Sequence, residues 1–222
     1  MMVSAKFSVH LLSGLFLLLL LVPGAKAASL YSYPFDNLTA AKALWSIHDI
    51  HQQICADDFM VQGSNAVVEK LTFWVVLGDP VTIPSAFKVT FYESTANGYP
   101  DSLIQETPWR TDFTCEDTGE EMFAGKVYEL TITLSGSQQL AVISDTRYWV
   151  GLQAQTTDGY VYSGMGTKIT GDMACIWLGL ENKWVTTYDA SPWGASDIFF
   201  AVSGTIETSL ENSTWGAIKN AF

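Results

Sequence analysis

The chain has 222 residues, of which 23 are acidic and 11 are basic, so its formal charge is −12 at neutral pH. Nucleic acid and anionic lipid are both polyanions, and this acidity makes them poor partners. Nearly half of the residues are hydrophobic, which is enough for one well-buried core. We therefore expect a single folded domain that does not bind nucleic acid.

The N-terminus has the pattern of a signal peptide. Lys6 precedes an apolar stretch at 11–22 that is too short to span a bilayer as a helix, and the sequence AKA at 25–27 is a small-x-small cleavage site. Residues 1–27 are therefore predicted to be a signal peptide, and the mature chain to be exported. Its removal leaves nine basic and 23 acidic side chains, a charge of −14. We predict a secreted or surface-associated protein without a transmembrane segment.

Apolar and polar residues then alternate along several short segments, separated by turn signals such as ANGYP at 96–100. The residues predicted to face the core are Val67, Leu71, Phe73, Val75, Leu77, Phe87, Val89, Phe91, Tyr128, Leu130, Ile132, Leu134, Tyr148, Val150, Leu152 and Ala154. Short alternating strands with intervening turns favour two packed antiparallel sheets over a parallel α/β fold. The sequence predicts an all-β sandwich over 28–206, with a short helical tail at 207–222.

Four motifs occur in order along the predicted strands: CADDFMV, KVTFYESTANGYPDSLI, TRYWVGLQA and SDIFFAVSG. Together they resemble a broad group of exported bacterial β-sandwich domains of unassigned function. The resemblance covers about Ile54 to Gly204 and implies a jelly-roll-like module. It brings no catalytic residues with it.

The motif CADDF places two adjacent carboxylates, Asp57 and Asp58, in an apolar run. Side chains alternate along a strand, so Asp57 shares a face with Phe59 and Asp58 points the other way. One of the two is able to meet Asp197, before the closing strand, at a shared calcium ion, which prefers six to eight oxygen ligands. The alternative, which we favour, is that these aspartates accept hydrogen bonds from backbone N–H groups.

Aromatic residues suggest a binding surface. By the alternation above, Trp74, Tyr92 and Trp149 point away from the face that carries most aliphatic residues. Flat rings on an open sheet face can stack against the apolar faces of sugars. The alternative, again favoured, is that the long segment at 164–193 folds over that face and buries the rings.

Signs of catalysis are weak. His48 and His51 are the only histidines after the signal peptide, no serine lies in a Gly-x-Ser-x-Gly elbow, and the scattered acids fall in or beside turns. The His-x-x-His pair could bind zinc, although we favour a polar segment that leads into the first strand. Three cysteines, Cys55, Cys115 and Cys175, allow at most one disulfide and predict one free thiol.

The tail from residue 207 has Trp215, Ile218 and Phe222 at helical spacing. It resembles a short Thr-Trp-Gly-x-Ile-Lys segment at the ends of some exported bacterial proteins. We predict an exported, non-catalytic module that binds glycan or another extracellular or envelope component. The alternative is a structural or assembly protein of the cell envelope that docks through this tail.

Overall fold

The alternating segments form antiparallel strands, as the sequence predicts. The computed structural model describes residues 27–36, 52–122, 125–157, 159–190 and 196–207. The strands are, in chain order, β1 (Ala28–Tyr33), β2 (Ile54–Met60), β3 (Ala66–Leu77), β4 (Ala86–Ser94), β5 (Pro100–Glu106), β6 (Phe113–Met122), β7 (Gly125–Thr133), β8 (Leu140–Val142), β9 (Arg147–Gln155), β10 (Val161–Ser163), β11 (Met165–Gly166), β12 (Cys175–Leu178), β13 (Lys183–Thr186), β14 (Asp197–Ile198) and β15 (Phe200–Ile206). A 3₁₀ turn at Gly136–Gln138 and a four-residue helix, α1 (Thr187–Ala190), complete the described elements.

The described strands form three antiparallel sheets. In the seven-stranded sheet the order is β1-β15-β3-β7-β6, and the short strands β8 and β10 also pair with β3. In the six-stranded sheet the order is β13-β12-β2-β9-β4-β5, and β11 pairs with β14 in a small third sheet. The strand β1 was not predicted, and it extends the larger sheet at one edge by pairing with β15.

Both large sheets contribute one face to the same hydrophobic core. The ring of Tyr31, on the seven-stranded sheet, lies 6.4 Å from that of Phe59 on the six-stranded sheet. At the opposite edge Phe87 meets Phe113 edge to face at 5.0 Å. We call the face that contributes to this core the inner face of each sheet and the other its outer face. All the residues predicted to face the core are in it except Val67.

Val67 is the one wrong assignment in that set, and a β-bulge is the reason. The register between β3 and β15 shifts at Gly204, which pairs with Val68 so that Glu69 is left over. The extra residue reverses the alternation, and Ala66 and Val68 are buried in the core where Val67 was expected. Gly204 fits this close approach because a Cβ there would collide with the Val67 carbonyl.

All three cysteines lie among the described residues and are free thiols. Cys55 is in the inner core, Cys175 faces the outer side of the same sheet, and Cys115 is on the other sheet. Cys55 and Cys175 lie on paired strands, but on opposite faces, so a disulfide between them is not possible in this fold. The predicted count of one free thiol is therefore wrong, and the core stabilises the fold without a disulfide.

Several predicted features lie outside the described residues. They are the signal peptide before Ala27, the histidines His48 and His51, and the tail residues Trp215, Ile218 and Phe222. Within the described ranges, no helix has the length and apolar character needed to cross a membrane.

Candidate functional site

The three aromatic residues proposed as a binding surface do not share one face. Trp149 and Tyr92 lie on the outer face of the six-stranded sheet, whereas Trp74 lies on the outer face of the seven-stranded sheet. Trp149 is fully buried and Tyr92 is 8% exposed, while Trp74 is half-buried. Two buried rings offer no open face to a ligand, so these three residues do not form a common stacking platform.

A cover over Trp149 and Tyr92 explains their burial. Cys175 packs against them from β12, and the ring of Trp184 on β13 meets Tyr92 edge to face at 5.2 Å. The Trp149 indole N–H donates to the Ser94 hydroxyl at 3.2 Å, which satisfies its one polar group. The favoured alternative therefore holds for Trp149 and Tyr92, which contact residues of the segment 164–193, but not for Trp74, which lies half-buried on the other sheet.

The same contact shows that the six-stranded sheet is curled. β13 and β4 are separated by four strand spacings in the sheet, about 19 Å if it were flat. The rings of Tyr92 on β4 and Trp184 on β13 have centroids 5.2 Å apart on the outer face. These two strands are therefore closer together than they would be in a flat sheet. The outer face is therefore concave near them.

A transverse row of side chains crosses this outer face, with one residue on each successive strand. Trp177 on β12 pairs with Ile54 on β2, and Gln153 on β9 pairs with Lys88 on β4. The register of β2 and β9 places Ile54 next to Gln153, because Cys55 pairs with Leu152. A bridge between Phe87 and Arg110 places Trp109 beside Lys88 in the same way.

The side chains of this row line one cavity of about 320 Å³, which we call the aromatic groove. Its lining residues are Gln52, Ile54, Lys88, Trp109, Gln153 and Trp177. Both tryptophans are half-buried, so part of each ring is held by the protein and part faces the groove. The groove therefore has an aromatic ring at each end, with Ile54, Gln153 and Lys88 between them.

The protein fixes the aromatic ends of the groove. Trp177 lies 5.4 Å from Trp184 at an interplanar angle of 58°. The Lys88 ammonium lies over the Trp109 ring at 5.2 Å from its centroid and 3.7 Å from the Glu106 carboxylate. Such contacts restrict the rotamers of long side chains before any ligand arrives, which lowers the entropy lost on binding.

The second candidate site is the acidic cluster, which we define as Asp57, Asp58, Asp172 and Asp197. Asp57 lies beside the strand that carries Asp197: it accepts the backbone N–H of Ile198 at 2.7 Å, and its pKa is raised by burial and then by the Asp197 carboxylate. Asp57 also accepts the N–H of Asp58 at 2.8 Å. Both of its oxygens therefore serve the backbone.

Asp58 points to the opposite face of β2, as the alternation predicts. It accepts the N–H of Asp172 at 2.7 Å and lies 3.3 Å from the Nε of Arg147, which also pairs with the Asp172 carboxylate. Asp197 accepts both the N–H and the hydroxyl of Thr170, at 2.5 and 3.0 Å. The cluster thus ties the segment at 170–172 to β2 and β14.

Burial sets the charge state of this cluster. Asp57 and Asp197 are each 1% exposed. Burial, followed by repulsion from Asp197 and Asp58, holds the pKa of Asp57 well above its ordinary value of 3.8. Burial also raises the pKa of Asp58 to about 6 against the opposing charge of Arg147, and that of Asp197 to about 6 against its hydrogen bonds from Thr170.

The geometry of the acidic cluster agrees with the favoured alternative, in which aspartates accept backbone hydrogen bonds. Among the described residues no group of three or more histidine, cysteine or acidic side chains is placed to hold a metal ion. A shared calcium at Asp57, Asp58 and Asp197 stays a prediction. So does zinc at His48 and His51, which lie outside the described residues.

The sequence alone did not indicate that Trp109, Trp177 and Gln153 line one site. The runs CIWL and KWVT, separated by a Gly- and Asn-containing turn, form the β12–β13 hairpin, a signal that the sequence does carry. Trp109 has no such signal, since it reaches the groove through a single bridge between Phe87 and Arg110.

Comparison with known proteins gives no family to compare with this site. No family model matches the chain, and no curated protein is significantly similar to it.

Proposed function

We propose that this chain is an exported, non-catalytic β-sandwich domain of the jelly-roll-like kind that binds glycan through the aromatic groove. The observation that carries the proposal is the cavity on the outer face of the six-stranded sheet, with Trp177 at one end, Trp109 at the other and Gln153 between them. The signal peptide predicted at 1–27 and the abundance of aromatic residues are consistent with it.

The packing of the sheets supports the sandwich architecture. The six- and seven-stranded sheets bury their inner faces against each other, with aromatic contacts at both edges between Tyr31 and Phe59 and between Phe87 and Phe113. This arrangement leaves the part of the outer face between Trp177 and Trp109 available for the groove.

The lining of the groove suits a sugar ligand. Four strand spacings separate the backbones of Trp177 and Trp109, a path of about 19 Å along the sheet, and the curl of the sheet brings side chains on its concave outer face closer together than that. A pyranose ring presents apolar C–H groups on its faces, which stack on aromatic rings, and hydroxyl groups at its rim, which need polar partners. Two aromatic ends, with the amide of Gln153 and the ammonium of Lys88 between them, match that pattern.

Retention on polysaccharides tests the proposal. We expect the mature protein to be retained by at least one insoluble or gel-embedded neutral polysaccharide, and the variant Trp109→Ala with Trp177→Ala to lose at least ninety per cent of that retention. Trp74→Ala is the matched control, because Trp74 is also a half-buried tryptophan but lies on the other sheet. Circular dichroism of each variant confirms folding.

Two results would count against the proposal. Equal retention of the groove variant and the control would place binding elsewhere on the protein. Retention on none of the neutral polysaccharides, together with recovery of an envelope component by the full chain but not by a chain ending at Glu207, would instead favour the assembly role predicted from the tail.

A further inference from the structure

Gln153 occupies the middle of the aromatic groove. It lies on β9, where Trp149, Gly151 and Gln153 face outward and alternate with core residues. Its side chain is 5% exposed and lines the cavity between Ile54 and Lys88. Glutamine is seldom buried to this extent unless its amide is hydrogen-bonded, because an unpaired buried amide is costly.

The Gln153 amide is not among the described side-chain atoms that are both fully buried and unpaired, so it keeps contact with the groove, and it forms no hydrogen bond with the other described residues. Its neighbours explain why. Ile54 is apolar, and the Lys88 ammonium is already held by the Trp109 ring and the Glu106 carboxylate. By contrast, the amide of Gln105, on β5, donates to the Gln138 carbonyl at 2.6 Å. A largely buried glutamine whose amide forms no hydrogen bond within the fold has both its donors and its acceptor free for a ligand in the groove.

We propose that Gln153 determines the specificity of the groove, with its amide paired to the hydroxyl groups of an uncharged sugar unit held between Trp177 and Trp109. This inference rests on the proposed function. An amide offers both donors and an acceptor, and a sugar hydroxyl is also both, so the two satisfy each other. A site built in this way rejects analogues that cannot complete its hydrogen bonds, because its polar groups are then left unpaired.

The charges around the groove select an uncharged ligand. A carboxylate or sulfate group would face the Gln153 carbonyl oxygen as well as its NH₂ group, and the one cation of the lining, Lys88, already lies 3.7 Å from Glu106. The chain as a whole carries a charge of −12, which further disfavours acidic polysaccharides. Neutral glycans are the class that meets these conditions.

Replacing Gln153 with leucine separates a binding role from a structural one. Leucine keeps a similar volume and removes the unpaired amide, so we expect the melting temperature of Gln153→Leu to be unchanged or raised. The same change is expected to weaken binding of a soluble neutral oligosaccharide by tenfold or more, measured by calorimetry. The oligosaccharide is prepared from whichever polysaccharide retains the wild-type protein.

Gln105→Leu is the matched control. It removes an amide whose hydrogen bond to the Gln138 carbonyl is formed within the protein, at a distance from the groove. We expect this variant to melt at a lower temperature than the wild type and to bind the oligosaccharide with unchanged affinity. The two glutamine variants should therefore change stability and affinity in opposite ways.

Three results would overturn, in turn, the role of Gln153, the ligand class and the proposed function. Unchanged affinity in Gln153→Leu, or a fall in its melting temperature as large as that of Gln105→Leu, would overturn the role of Gln153 while the proposed function stands. Preference of the wild-type protein for an acidic over a neutral oligosaccharide would overturn the ligand class alone. Failure of the wild-type protein to bind any glycan would remove the proposed function and this role with it.

Discussion

The aromatic groove and the acidic cluster are built on the same strand, and they treat their polar groups in opposite ways. β2 supplies Ile54 to the groove and, three and four residues later, Asp57 and Asp58 to the cluster. In the cluster, Asp57, Asp58 and Asp197 accept backbone N–H groups from neighbouring segments, and one oxygen of Asp197 is buried without a partner among the described residues. In the groove, the amide of Gln153, a side chain that is 5% exposed, forms no hydrogen bond with the other described residues. Polar groups satisfied within the fold stabilise it, whereas those left for a ligand can bind one.

Trp149 and Trp177 are the sharpest pair for this comparison, because both face outward on the six-stranded sheet and only one is buried. Replacing fully buried Trp149 with alanine is expected to lower the free energy of unfolding by about 3 to 5 kcal/mol. For half-buried Trp177 the loss should be about 1 to 2 kcal/mol, because less apolar area is removed from the interior. Urea unfolding of the two variants measures the difference, and equal losses would contradict the deeper burial of Trp149.

Asp57 tests the structural role of the cluster. Asp57→Ala leaves two buried N–H groups, those of Ile198 and Asp58, without their acceptor. We expect a loss of about 2 to 4 kcal/mol in the free energy of unfolding. Asp57→Asn keeps one oxygen acceptor and removes a charge beside Asp197, so it should cost less than half as much. An alanine variant as stable as the wild type would exclude the structural role.

The sequence predicted the long strands well, because a half-buried antiparallel strand has to alternate. The inward residues of β4, β7 and β9 follow from that rule alone. The rule failed at Val67, since the bulge opposite Gly204 is set by pairing with a strand more than a hundred residues away. It also could not find β1, which is short and whose pairing with β15 depends on the tertiary fold.

For the candidate sites, alternation predicts the face of a strand but not the sheet that carries it. It placed Asp57 and Asp58 on opposite faces correctly. It could not show that Trp74 lies on a different sheet from Trp149, because both strands have the same pattern. The neighbours of Gln153 come from strands β12, β2 and β4 and from the segment after β5, and their order is a property of the topology.

The cluster should also make stability depend on pH, and the groove should not. The pKa of Asp58 and of Asp197 is about 6 in the folded state against 3.8 ordinarily, and burial also holds the pKa of Asp57 well above 3.8. The folded state therefore holds protons more tightly than the unfolded state. The resulting stabilisation is complete below about pH 4 and is lost as the pH rises through about 6.

Other titratable and charged groups face the same carboxylates and also affect how stability depends on pH. Arg147 on β9 pairs with Asp58 and Asp172 and opposes the rise in the pKa of Asp58, while Tyr31 on β1 has its own pKa raised by burial beside the cluster. Unfolding by urea at several values between pH 4 and 7 measures the slope. Asp197→Asn should flatten it, and a wild-type slope of the opposite sign would contradict the assignment.

The smallest effect is expected from replacing Lys88, the charged residue that lines the groove. Its ammonium lies over the Trp109 ring at 5.2 Å and near Glu106 at 3.7 Å, and its side chain is 23% exposed. A cation over an aromatic ring at a partly exposed site contributes about 0.5 to 1 kcal/mol, and an exposed ion pair adds little. Lys88→Met keeps the aliphatic stem against the ring and should therefore lower the free energy of unfolding by about 0.5 kcal/mol.

Because the Lys88 ammonium is already held by the Trp109 ring and Glu106, its loss should change the affinity for a neutral oligosaccharide by less than about threefold. Calorimetry of Lys88→Met beside Gln153→Leu measures the contrast. A tenfold loss in the lysine variant would show that the ligand binds the ammonium directly, and would shift the specificity of the groove from the amide to the charge.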